Sequence, residues 1–196
     1  MVIQHNTNEL IRTFIAIKIT ESQALSTLQS KLKAQLNGMK VKWVPPSNYH
    51  ITLRFIGHTE KLLINRITEE LGNAAINYKP FDISLFGFGF FGQSDKPKVL
   101  WADVAQNSTL EQLAADTEEL VRKLGFSSNF NPYKPHLTLA RPRGNGFSDI
   151  INELKNKFGM IPLGNYLINS IYLYQSIVGF GDPIYQPIKE IKLLNG

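Results

Sequence analysis

The sequence predicts an α+β fold built from antiparallel sheets and divided into two related lobes. Three observations carry that expectation. Strand-like and helix-like segments are mixed, and several strands follow one another across tight turns, which disfavours a parallel doubly wound sheet. No stretch rich in Pro, Gly or Ser divides the chain, so residues 1–196 read as one domain. One phrase is nearly repeated: "NYHITLRFIG" at 48–57 and "KPHLTLARPR" at 134–143. Each copy follows a proline-containing turn and precedes, after a loop, an amphipathic stretch. His50 and His136 stand 86 positions apart, a little under half of the 196 residues.

The elements follow from local pattern. Residues 11–19, "IRTFIAIKI", form an apolar run short enough for a buried strand. Thr20 then opens a helix, with Gln23 completing a capping box. Leu25, Leu28, Leu32 and Leu36 keep helical spacing, and Gly38 closes it. "KVKWV" at 40–44 is a short strand that Pro45-Pro46 ends. Residues 50–57 form a strand and 60–76 a second amphipathic helix. Residues 81–91 and 98–104 are strands joined by a turn around 94–97. Ser108 and Glu111 make another capping box, starting a helix that runs to about Leu124. Residues 136–141 form a strand and 148–158 a helix. "YLINSIYLYQSIV" at 166–178 and "IYQPIKEIKL" at 184–193 are the closing strands.

Composition narrows the function. Hydrophobic residues make up 43% and charged residues 19%, an ordinary globular balance that argues against disorder. With no cysteine, disulfides, thiolate metal sites and cysteine nucleophiles are excluded. The absence of cysteine also favours a reducing, cytoplasmic location. The first ten residues lack the basic head and apolar run of a secretory signal. No run approaches the roughly 18 apolar residues of a membrane helix, so no membrane partner is expected. A net charge of +5 suits a polyanion such as RNA.

The repeated phrase carries the chemistry. Side chains alternate along a strand, so His50 and Thr52 share one face while Ile51 and Leu53 take the other. His136 and Thr138 do the same against Leu137 and Leu139. Two polar pairs buried in a core would cost several kcal/mol unless fully hydrogen-bonded; two pairs lining one wet cleft would not. Histidine changes charge near neutral pH, so one ring can act as base while the other acts as acid. Threonine hydroxyls can donate to phosphate oxygens. Arg54, two residues beyond Thr52, belongs by alternation to the same face and could add a guanidinium fork. Opposed imidazoles around a phosphorus centre suit in-line displacement without a metal. A catalytic metal would need a third ligand, and no Asp or Glu falls near either strand.

These residues resemble a family, the two-histidine (2H) phosphoesterases, in the branch of RNA 2',3'-cyclic phosphodiesterases also described as 2'-5' RNA ligase-like. "RTFIAIKI", "VKWVPPSNYHITLRFIG", "KVLWADV", "YKPHLTLAR" and "IYLYQSIVGFGDPIYQPI" carry the resemblance nearly end to end. It implies a bilobal arrangement, with two antiparallel sheets and outer helices related by a pseudo-twofold axis around a central cleft. It implies hydrolysis of a 2',3'-cyclic phosphate end to a 2'-phosphate, with no metal and no cofactor. Cleavage or joining of 2'-5' linkages at the same site is the alternative activity, and a non-catalytic RNA-end or nucleotide binding module the alternative class. RNA ends or small nucleotides with a cyclic phosphate are the expected partners, and a monomer the expected state. Carried over, His50 and His136 are the catalytic pair; His50 is assigned as acid and His136 as base, an order that the near symmetry of the site leaves open. Thr52 and Thr138 hold the phosphate, and Arg54 and Arg141 are the basic residues after each signature. By strict alternation Arg141 points away from His136 and needs a twist or bulge to reach the cleft. Where the family's closing strand tends to read Ser-Arg-Leu, this chain has Ser176-Ile177-Val178.

Other features weigh less. "GFGFFG" at 87–92 matches a dinucleotide fingerprint, but a strand rather than a helix follows it, so its glycines are assigned to a turn or a close backbone approach. Asn107-Ser108-Thr109 is a helix start. Phe14, Trp43, Phe130 and Tyr133 are candidates for base stacking, Phe14 foremost. His58 reads as a surface or helix-start residue and His5 as part of a frayed terminus.

Overall fold

The computed structural model describes residues 9–129, 131–179 and 183–194; His5 and Phe130 lie outside them. The elements run β1 (Leu10–Lys18), α1 (Gln23–Gln35), β2 (Val41–Trp43), a 3-10 turn (Pro46–Asn48), β3 (His50–Glu60), α2 (Leu63–Ala75), β4 (Phe81–Gly92), β5 (Pro97–Val104), α3 (Ser108–Lys123), β6 (His136–Pro142), α4 (Ser148–Phe158), β7 (Pro162–Ile168), β8 (Ser170–Ile177) and β9 (Ile184–Lys192). The fold is α+β, as expected.

The strands lie in the order β7-β4-β5-β6-β3-β1-β8-β9, with β2 beside β6. Neighbouring strands pair antiparallel. The two expected sheets are the two four-stranded halves of this order. They meet edge to edge at β3 and β6 through a single residue pair, Ile51 with Leu137. Both of those side chains are fully buried. One step along each antiparallel strand from that pair sets His50 beside Thr138 and Thr52 beside His136, on the opposite face. The pseudo-twofold axis therefore runs through the seam, and the strands part on either side of it.

The halves are not the two halves of the chain. α2 and α3 pack against β3, and α2 also meets β9. α1 packs against β7, and α4 against β4. The hairpin β4-β5 follows β3 in sequence but lies beside β6; β8-β9 follows β6 but lies beyond β1. Each half thus combines one signature strand with the hairpin that follows the other. One core runs under both, in which Leu25, Leu28 and Leu32 of α1, Ile67 and Leu71 of α2, and Ile51, Leu137 and Leu139 of the seam strands are buried together. Burying each such side chain contributes about 1.5–3 kcal/mol. A smaller cluster of Phe14, Ala16 and Tyr174 forms separately.

Three expectations are corrected. Helix α1 is capped by Ser22, not Thr20: the Ser22 hydroxyl accepts from the Leu25 amide at 3.3 Å. Helix α3 is capped by Asn107, whose side chain accepts from the Leu110 amide at 2.9 Å, not by Ser108. Both corrections keep the chemistry of an N-cap and move its position by one or two residues. The single closing strand at 166–178 is two strands, β7 and β8, separated at Asn169. β7 pairs with β4 at one edge of the sheet and β8 with β1 in the other half, so the chain crosses the molecule there. The Asn169 carbonyl is held at the crossing by the Leu193 amide at 3.0 Å.

Candidate active site

β3 and β6 present the same sequence of environments over their first six residues: half-buried, buried, half-buried, buried, buried, exposed. The half-buried positions are His50 and Thr52 on one strand and His136 and Thr138 on the other. Each buried neighbour (Ile51, Leu53, Leu137, Leu139) enters the core. The alternation of period two fixes this much.

The pattern then breaks on both strands at one place. β1 pairs Ile15 with Arg54 and Ala16 with Thr52, which leaves Leu53 as an extra residue. β5 pairs Leu100 with Ala140 and Trp101 with Thr138, which leaves Leu139 extra. These are matched β-bulges, and a bulge re-aims the side chains that follow it. Arg54 is consequently turned away from His50. It is buried, its Nε sits 2.6 Å from Glu118 of α3, and its guanidinium also donates to the Ser127 and Phe55 carbonyls. The expectation that Arg54 shares the His50 face is corrected: the bulge at Leu53 reverses it. Arg141 shows the converse. It is exposed, and its charge acts on both His50 and His136, depressing both. The bulge it needs is present at Leu139.

Both imidazoles are clamped in the same way. His50 Nδ1 donates to the Asn48 carbonyl at 2.7 Å, and His136 Nδ1 donates to the Lys134 carbonyl at 2.7 Å. A carbonyl can only accept, so in the neutral rings Nδ1 carries the hydrogen and Nε2 keeps a lone pair. Burial is the largest influence on each ring and lowers its affinity for a proton. His50 is pushed down to about 4, with His136 and Arg141 adding to the shift against the Asn48 hydrogen bond. His136 is lowered below its ordinary value by burial, Arg141 and Lys134, with Asp103 and the Lys134 carbonyl working in the other direction.

Aromatic rings surround each histidine. His50 meets Phe14 at 5.1 Å between ring centres and Tyr185 edge-on at 5.1 Å. Phe14 is only 1% exposed and stacks on Tyr174 at 5.1 Å. It is therefore not open to a base, and the expectation that it binds substrate by stacking is corrected: Phe14 backs His50 instead. Phe55, 56% exposed and 5.7 Å from Phe14, is the open ring on that side. His136 meets Phe91 edge-on at 4.9 Å and Trp101 at 6.5 Å. The Lys134 ammonium lies 4.4 Å from the Trp101 ring centre. Trp101 in turn depends on the glycine phrase set aside above. A Cβ at Gly89 would come within 2.3 Å of the indole, and one at Gly87 within 2.1 Å of the Gly159 carbonyl. Close backbone approach is the reason for those glycines, and β5 follows them, as expected.

The surrounding surface has two arms. Thr52, Phe55, Phe91, Asn129, Lys134 and His136 line one recess. Trp43, Asn48, Arg141, Arg143 and Tyr185 line part of the other. Tyr133 borders the first recess with its hydroxyl buried, and burial pushes that phenol above its ordinary range. Sequence reasoning missed Tyr185, Phe91, Trp101 and Phe55. The i−2 positions, Asn48 and Lys134, were visible in both phrases, but their role belongs to the backbone.

Comparison with known proteins places these features in a family. The family model described as LigT like Phosphoesterase matches twice, at residues 17–101 and 103–185. The two matches begin 86 positions apart, the same offset as His50 and His136. A protein of Aeropyrum pernix named RNA 2',3'-cyclic phosphodiesterase is 35% identical, over 79% of this chain and 88% of its own length. One of the same name from Archaeoglobus fulgidus is 31% identical, over 91% and 98%. Among solved structures, a Thermus thermophilus protein matches with a TM-score of 0.78 at 21% identity, over 94% of this chain and 99% of that one. Escherichia coli LigT complexed with 3'-AMP matches with a TM-score of 0.75 at 23% identity, over the same shares. The chain, with one signature strand in each of two matching repeats, belongs to the LigT-like phosphoesterase family.

Proposed function

We propose that this protein hydrolyses the 2',3'-cyclic phosphate of RNA ends, or of small nucleotides, to a 2'-phosphate. The observation that carries the reading is the pair of equivalent imidazoles, each clamped through Nδ1 with Nε2 left for chemistry. Water attacks the phosphorus as one Nε2 takes its proton. The bond from phosphorus to the 3'-oxygen breaks, and the other, protonated Nε2 donates to that oxygen. Each turnover leaves the proton moved from one ring to the other. Thr52 and Thr138 hydroxyls donate to the non-bridging oxygens, and the Arg141 guanidinium offsets their charge.

The surroundings favour His50 as the base and His136 as the acid, the reverse of the sequence expectation. Asp103 draws a proton toward His136, whereas the charges acting on His50 are all positive. Among the described residues no three His, Asp or Glu side chains gather to hold an ion, and the step as written uses none. The relatives' name supports the substrate class. Residues 1–196 are read as one bilobal domain because the core runs under both halves, and as cytoplasmic on composition; a monomer is the proposed state. No helix among the described residues is long and apolar enough to cross a membrane. Ile177, 39% exposed at the end of β8, stands where an arginine is usual, and a weaker hold on the substrate is the proposed effect.

Incubation with a short RNA ending in 2',3'-cyclic phosphate, in EDTA, with the product identified by phosphorus NMR, tests the reading. A 2'-phosphomonoester is expected. A 3'-phosphate, or turnover only after divalent metal is restored, would overturn it. No turnover of the cyclic end, with cleavage of a 2'-5' linkage instead, would transfer the site to the alternative activity.

A further inference from the structure

One deeply buried polar side chain lies outside the catalytic pair and yet touches both signature segments. Gln29, on α1, is only 5% exposed, beside the core leucines of that helix. Its carboxamide nitrogen donates to the Val44 carbonyl at 2.9 Å and, at the longer distance of 3.5 Å, to the Leu139 carbonyl. The Val44 amide donates to the same Leu139 oxygen at 2.9 Å. Here β6 changes partner, from Ile51 of β3 at Leu137 to Trp43 of β2 at Ala140. Leu139 is also the bulge that precedes Arg141. Val44 begins the stretch that leads through Pro45 and the 3-10 turn to Asn48, whose carbonyl clamps His50. One amide group thus joins the approach to His50 with the bulge that follows His136 and Thr138.

Helix α3 makes the matching connection in the other half. Glu118 accepts from the Asn129 amide at 2.9 Å, on the approach to His136, and holds Arg54, the residue after the bulge on β3. Gln29 stands 21 positions before His50, and Glu118 stands 18 before His136. In each repeat the helix ahead of the histidine carries a polar side chain that ties that histidine's approach to the bulge of the opposite strand. Filling space alone would take a leucine or methionine at position 29, because a buried amide is favourable only when its hydrogen bonds are made. We infer that Gln29 is a positioning residue: with Glu118 as its counterpart, it sets His50 and His136 at the separation that a shared phosphate requires. The inference rests on the cyclic phosphodiesterase reading and deepens it, since proton transfer at both ends of one displacement tolerates little misplacement of either ring.

Gln29→Met keeps the length and bulk of the side chain and removes the donor, so it is expected to fold. With a 2',3'-cyclic mononucleotide it should lower kcat by about tenfold and leave KM within about twofold. Leu25→Ala, buried on the same helix, takes apolar contact from the core and no hydrogen bond from either approach. With an equal or larger fall in the urea midpoint, it should leave kcat within about twofold of the parent. Nitrogen-15 NMR of the histidine rings needs no turnover. In Gln29→Met the His50 ring should leave the pure Nδ1–H form; in Glu118→Gln, at a half-buried position, the larger change should fall on His136. A kcat unchanged in Gln29→Met, or lowered by the same factor in Leu25→Ala, would overturn the inference, as would a His50 ring that Gln29→Met does not move. Should Gln29→Met fail to fold, a His136 ring unmoved in Glu118→Gln would overturn the paired arrangement. If the parent protein does not turn over the cyclic nucleotide, the activity reading is wrong, and the ring signals alone decide whether Gln29 positions His50.

Discussion

The β3 and β6 strands are two solutions of one pattern. Both begin with a histidine clamped to the carbonyl two residues back, both follow it with a threonine on the same face, and both bulge at a buried leucine. They part company after the bulge. The buried position is Arg54 on β3 and Ala140 on β6; the exposed one is Phe55 on β3 and Arg141 on β6. An arginine thus follows each signature, but only one faces the chemistry. Arg54 ties β3 to Glu118 of α3 and to the segment at Ser127, next to Asn129 on the rim of one arm. The comparison teaches that the backbone repeats while the charge does not: an even scaffold holds an uneven electrostatic field, the basis of the different roles proposed for two chemically identical rings.

The sharpest way to break the equivalence is to remove each histidine. His50→Asn and His136→Asn should each lower kcat by roughly 10²–10⁴. The double variant should lose little more than the worse single one, since the rings act as a unit. If either single variant keeps full activity, the pair is not a pair. Next in size are the threonines. Thr52→Ala and Thr138→Ala each remove one hydroxyl donor to an anion, worth about 1.5–3 kcal/mol, and should lower kcat/KM by tens-fold, partly through KM.

The arginines separate the two strands. Arg141→Gln should weaken substrate binding with little change in thermal stability. Arg54→Gln should do the opposite, costing about 2–3 kcal/mol by leaving Glu118 and the Ser127 carbonyl without a charged partner, read as a lower urea midpoint. A large KM effect from Arg54→Gln without loss of stability would contradict the bulge as described.

The smallest expected effects are on pH. Both rings hold their protons less tightly than ordinary histidine, so at pH 7 the free protein has both neutral. On the proposed mechanism one proton must be added to reach the active state, and a second, at His50, ends it. The kcat/KM profile should therefore be a bell centred below pH 6.5, whereas bound phosphate favours imidazolium and should move the kcat profile upward. The same shift bears on stability. A histidine whose folded value is depressed stabilises the fold above the unfolded value near 6.5, and that stability is lost as pH falls through the folded value near 4. His50→Asn should consequently lose less stability than the parent between pH 6.5 and 4.

The signature strands were legible because period-two alternation is local and the phrase occurs twice. That alone set His50 and Thr52 on one face of β3, and His136 and Thr138 on one face of β6. What could not be read depends on neighbours. The bulges at Leu53 and Leu139 exist in relation to β1 and β5, so alternation alone set Arg54 on the His50 face and left Arg141 in need of a bulge. Phe14 sits on the strand expected to border the cleft, but Tyr174 and Tyr185 cover it. Residues 166–178 alternate smoothly through Asn169 with no proline or glycine, so nothing local marks the point where the chain leaves one half of the sheet for the other. The caps shifted by a residue or two because Ser and Asn neighbours compete for the same amides.

One measurement bears most directly on the central claim that two equivalent histidines, one from each half, share a single phosphate site. Nitrogen-15 NMR of the two rings, titrated from pH 4 to 8 with and without a 2'-phosphomononucleotide, reads tautomer and protonation together. Hydrogen is expected on Nδ1 in both neutral rings, with both titrating below 6.5 in the free protein and both moving upward when the phosphate binds. One ring that ignores the phosphate, or that carries its hydrogen on Nε2, would contradict it.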